Sequence, residues 1–120
     1  MSSPKDWTIR IRHVLEAIAK IHRYTASHTE ATLAGDEKTV DAVIRNFQVI
    51  GDAARRVPAE VRAAHPEIPW SPMEKMRHVV VHDYDRVDLT VVWHTIQNDL
   101  PPLVEPLKRL LGDAESSGNR

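Results

Sequence analysis

Cysteine is missing from this 120-residue chain. That removes disulfides and thiolate zinc sites and fits the cytoplasmic setting we expect. An excess of either charge is missing too, with 16 Lys+Arg against 17 Asp+Glu and a net charge of −1. A strongly basic surface that coats nucleic acid is excluded, because such binding runs on neutralised phosphates. A small basic pocket stays open. No apolar run approaches the ~20 residues of a membrane span, and "MSSPKDW" lacks the apolar core of a signal peptide, so neither membrane insertion nor an export leader is expected. Sustained strand alternation and internal repeats are absent as well.

What is there reads as helix. The apolar fraction of 42% and charged fraction of 28% are ordinary for a folded protein, and the length suits one domain. Ser3 and Pro4 have the form of an N-cap followed by proline at the first helical position. Trp7, Ile11, Val14, Leu15, Ile18 and Ile21 then keep the spacing of one helical face, fading across Thr25 to Thr32. A second helix opens near Gly35 and Asp36 and carries Val40, Val43, Ile44, Phe47, Ile50, Ala54 and Val57 up to Pro58. Gly51 lies inside it, either as a tolerated defect of about 1 kcal/mol or as a point where another helix comes close. Arg55 and Arg56 end it, where cations complement the helix dipole.

A short turn over Ala59 to Ala64 follows. Ser71 and Pro72 launch a third long helix from Met73 to about Tyr84, with Trp70 placed to position it. Asp88 caps a last helix bearing Leu89, Val92, Trp93 and Ile96, which must kink or restart at Pro101 and Pro102. Leu103, Val104, Leu107, Leu110 and Leu111 resume the apolar face. The expectation is an all-α antiparallel bundle of four to five helices, one domain over residues 1–112, with a disordered tail at 113–120.

The stretch "MRHVVVHDYDRVD", residues 76–88, carries the chemistry. His78 and His82 are four apart and share a helical line, as do Arg77 and Tyr84, seven apart. Arg77 and His82 diverge by about 140° on an ideal helix. Three readings compete. His78 and His82 could chelate zinc with Asp83 or Asp85, although "HVVVH" lacks the glutamate of the HExxH frame. The stretch could be structural, with Arg77 on a carboxylate and the Tyr84 ring in the bundle. Or it could be an acid–base site for a phosphodiester. Histidine changes charge near neutral pH, and arginine offers a charged fork to phosphate. RNA supplies its own nucleophile in the 2′-OH, so a base and an acid suffice without metal. A two-fold homodimer would bring two histidines and two arginines into one cleft.

The arrangement Arg77-x4-His82-x-Tyr84 is similar to the R-x4-H-x-Y motif of the HepT-like toxins, within the HEPN superfamily. Three further segments resemble that family in order. "VIRNFQVIGDAARRVP" (43–58) resembles its helix with an "IGEAA" core. "HPEIPWSPMEKMRH" (65–78) resembles the P-x-IPW loop leading into the motif helix. "VDLTVVWHTIQNDLPPL" (87–103) resembles the closing helix with its double proline. The likeness spans roughly residues 7 to 111.

The resemblance implies a homodimeric helical bundle with a metal-independent endoribonuclease cleft, requiring no cofactor. It implies that Arg77 clamps phosphate and His82 is the general acid and base. Tyr84 is then the acceptor of AMP from a cognate minimal nucleotidyltransferase antitoxin, whose added bulk and negative charge would close the cleft to RNA. Two positions depart from the family pattern. His78 stands where asparagine is frequent, and Asp52 where the "IGEAA" glutamate stands; both are supporting site candidates. A different class of function remains open beside this one, a non-catalytic HEPN scaffold or substrate-binding partner of a nucleotidyltransferase.

Overall fold

The structure, a computed structural model, describes residues 6–79 and 88–118. Ser3, Pro4, His82, Asp83, Tyr84 and Asp85 lie outside these residues.

Apolar stripes build the four long helices. In α1 (Trp7–Thr25), Ile11, Val14, Ile18 and Ile21 are buried, with Trp7 and Leu15 packed at the margin. In α3 (Glu37–Arg55), Val40, Val43, Phe47, Ile50 and Ala54 are buried. Helix α5 (Trp70–Val79) contributes Met73 and Met76, and α7 (Pro101–Gly118) contributes Leu103, Leu107 and Leu110. Helix α3 lies between α1 and α5, and α7 packs on α1, so one continuous core results. Burying each such side chain is worth about 1.5–3 kcal/mol. That packing, more than helix propensity, holds segments of this length in place.

Three short helices join the long ones: α2 (Glu30–Ala34), α4 (Ala59–Ala64) and α6 (Leu89–His94). They raise the count above the four to five expected without changing the class. The fold is an all-α, HEPN-like bundle with no strand among the described residues. Helix α6 runs into a π turn (Thr95–Asp99) before α7 starts at Pro101. This is the interruption that the double proline demands. Pro101 takes the first position of the new helix, where a missing N–H costs nothing. The buried Thr25, Asn46 and Thr95 side chains each bond a carbonyl four residues back, at 2.8, 2.8 and 2.9 Å.

Two expectations need correction. Helix α5 begins at Trp70 instead of Met73, since Pro72 still falls in the first turn, where no intrahelical donor is needed. Helix α2 replaces what reads as a fading stretch, because Thr29 and Thr32 cap it reciprocally. Helix α7 runs through the polar stretch at 113–118. Ala114 is 9% exposed there, and Glu115 pairs with Arg12 of α1, which anchors the last turns.

Asp36 caps α3 through the Thr39 N–H at 3.1 Å and the Thr39 hydroxyl at 2.7 Å, and His28 sits 3.3 Å away. The two Thr39 bonds, helped by His28, hold the Asp36 carboxyl below its ordinary range against the opposing effect of desolvation. A depressed folded value means stabilisation that is complete above the unfolded carboxylate range. It is lost as pH falls through the folded value. Denaturant melts taken from neutral into acid should therefore show the protein converging on its Asp36→Asn variant. A gap that stays constant with pH would contradict this.

Candidate functional site

Gly51 decides where α5 lies. A Cβ at this position would meet the Arg77 Cβ at 2.7 Å, the Arg77 backbone N at 2.8 Å and the Glu74 carbonyl at 2.9 Å. These are positions that real side chains do not tolerate, and two of them are backbone. Of the two readings of Gly51, close helix approach is therefore the one that the structure shows. The missing side chain seats α5 directly on α3 at Arg77.

Asp52, the next residue of α3, exploits that seat. Its Oδ1 accepts a hydrogen bond from Arg77 Nη1 at 3.2 Å. Arg55, one turn on, stands 4.0 Å from the same oxygen. On the other side of the guanidinium, Arg77 Nε–H donates to His78 Nε2 at 3.2 Å. The Arg77 side chain is 30% exposed, so it is partly walled in. Arginine has five N–H donors. Those two bonds leave both Nη2 protons and one on Nη1 without a partner among the described residues.

Two braces keep α5 in register with this seat. Glu74 receives both guanidinium arms of Arg62 in α4, at 2.8 and 3.4 Å. Trp70, at the start of α5, is 6% exposed and its indole N–H donates to the His65 carbonyl at 3.0 Å. The loop tryptophan is thus the most buried of the three, whereas Trp7 and Trp93 pack only partly against the core. Sequence reasoning overlooked the Arg62–Glu74 pair. The two are twelve residues apart on different helices, and no helical periodicity connects them.

A groove of about 730 Å³ opens between α5 and the α6–π-turn segment, lined by Met73, Lys75, Met76, His94, Asn98 and Asp99 among others. Its two walls are joined in the chain by residues 80–87, which carry His82 and Tyr84. The structure brings Arg77, His78 and Asp52 together, while His82 and Tyr84 lie outside the described residues. The zinc alternative needs His82 with Asp83 or Asp85, also outside them. Among the described residues, no three His, Asp or Glu side chains converge as metal ligands would. No helix of the described residues is long and apolar enough to cross a membrane.

The family model described as "Ribonuclease HepT-like" matches residues 14–110. A Thermococcus cleftensis protein named "Probable ribonuclease HepT" is 36% identical over 90% of this chain and 96% of its own length. A Methanocaldococcus jannaschii protein, named as a gamma-glutamylcyclotransferase and proposed RNase, is 33% identical over 96% of this chain. This chain spans only 52% of that relative's length. A second protein of that organism, named as a proposed RNase, is 28% identical over 92% of each chain. No solved structure matches significantly.

Proposed function

The chain belongs to the HepT-like ribonuclease family, and from that premise we propose that it is a metal-independent endoribonuclease. In this reading it is the toxin of a toxin–antitoxin module in the cytoplasm. The observation that carries the proposal is the Arg77 guanidinium, seated by the close approach at Gly51, tied to Asp52 and left with donors that have no partner among the described residues.

The chemistry follows from the groups present. Arg77 binds a phosphate of RNA and neutralises charge that builds on its equatorial oxygens as the 2′-OH attacks phosphorus. His82 takes the 2′-OH proton, and a second His82 protonates the departing 5′ oxygen. The products are a 2′,3′-cyclic phosphate and a 5′-OH. Helix α5 is regular as far as Val79. On an ideal helix the five-residue spacing of Arg77 and His82 corresponds to a divergence of about 140°, which favours a site built across a homodimer.

Control is assigned to Tyr84, as acceptor of AMP from a minimal nucleotidyltransferase antitoxin. Each AMP adds a phosphate charge beside a cleft that must admit phosphate. Co-expression with the neighbouring gene's product should raise the intact mass in steps of one AMP. Those steps should vanish in Tyr84→Phe. Expressed alone, the chain should arrest growth, and His82→Ala should not. Absence of arrest for both, with normal folding, would favour the scaffold reading, which the near-neutral net charge also suits.

A further inference from the structure

We propose that His78 is a positioning residue for Arg77 and acts only with its Nε2 unprotonated; this rests on the reading of Arg77 as the phosphate-binding group. The Arg77 Nε and His78 Nε2 atoms are 3.2 Å apart. Guanidinium has no acceptor, so the nitrogen it meets must carry the lone pair. The imidazole is therefore neutral, with its proton on Nδ1. An imidazolium offers no lone pair and repels the guanidinium, so the contact and the protonated ring are mutually exclusive.

The effect is to fix a plane. Asp52 holds Nη1 from α3 while His78 holds Nε from α5 itself. A planar fork held at two nitrogens is restrained against rotation about its long axis. Either grip alone leaves that rotation free. Among the described residues, the neighbouring helices also bring Arg55 of α3, 4.0 Å from Asp52, and Arg62 of α4, already committed to Glu74. Neither supplies an acceptor for Nε, so His78 has no substitute among them. An asparagine at this position could do the same work through Oδ1 and would be indifferent to protonation. The choice of histidine makes the orientation of Arg77 depend on one ring proton.

His78 is exposed, so substitution should not disturb folding. In the ¹⁵N-labelled full chain, long-range ring correlations should place the His78 proton on Nδ1. The Arg77 Nε–H signal should move together with the ring when acid protonates it. His78→Ala should shift that signal to the position of a free arginine and slow RNA cleavage about tenfold. His78→Asn should recover the Arg77 signal and bring cleavage within about threefold of the original. A proton on Nε2 would overturn the assignment. So would an Arg77 signal indifferent to His78→Ala, or His78→Asn as slow as His78→Ala. If the unaltered protein cleaves no RNA, the functional reading fails, and the two signals still decide the His78 contact.

Discussion

His82→Ala should lower single-turnover RNA cleavage by about 10²–10⁴-fold while leaving the melting temperature near that of the parent. The size follows from what remains. On the proposed assignment, Arg77, tied to Asp52, would still bind and polarise the phosphate, but nothing would accept the 2′-OH proton or protonate the leaving oxygen. The chain has no cysteine to take over. Loss at the proton-transfer step should appear in kcat with little change in KM, since Arg77 carries the ground-state contact. A His82→Ala protein that cleaves at the parental rate would remove His82 from the site.

Gly51→Ala should cost far more activity than stability. Alanine is the better helix former by about 1 kcal/mol, and overpacking at a backbone contact costs about 1–3 kcal/mol. The gain offsets part of the cost, leaving a net loss of about 0–2 kcal/mol. The new methyl, however, would lie 2.7–2.9 Å from Arg77 Cβ, Arg77 N and the Glu74 carbonyl. Backbone atoms cannot rotate aside, so α5 must retreat by roughly 0.5–1 Å. Displacements of that order in a positioned group cost about 10²-fold in rate. Thermal melting and cleavage rates on the same preparation separate the two effects. Parental cleavage by Gly51→Ala would mean that the seat is packing alone.

Much of this could be read from the residues, and the exceptions have physical causes. Helices α1 and α3 were legible because their apolar faces keep the helical period over nineteen residues each. Asp88 was legible as a cap and accepts the Val91 N–H at 3.2 Å; at Asp36 only a helix start was legible, and the structure shows it capping through the Thr39 N–H at 3.1 Å. Gly51 could be flagged but not resolved, since a helical glycine looks the same whether or not a neighbour touches it. Helix α2 escaped notice because Thr32 occupies the place where a capping box normally shows Glu or Gln. The last turns of α7 escaped because Arg12, their partner, lies 103 residues away in the chain. At the site, the motif identified Arg77, and only the structure showed its grip by Asp52 and His78. For His82 and Tyr84, the motif and the family membership remain the support.

A DNA oligonucleotide containing a single ribonucleotide, incubated with the purified protein in excess chelator, tests the proposed chemistry most directly. Only the phosphodiester following that ribonucleotide has an adjacent 2′-OH. We expect one cut, at that bond, leaving a 2′,3′-cyclic phosphate and a 5′-OH. Cleavage at deoxynucleotide positions, dependence on added metal, or a 3′-OH product would contradict a metal-independent Arg77–His82 ribonuclease.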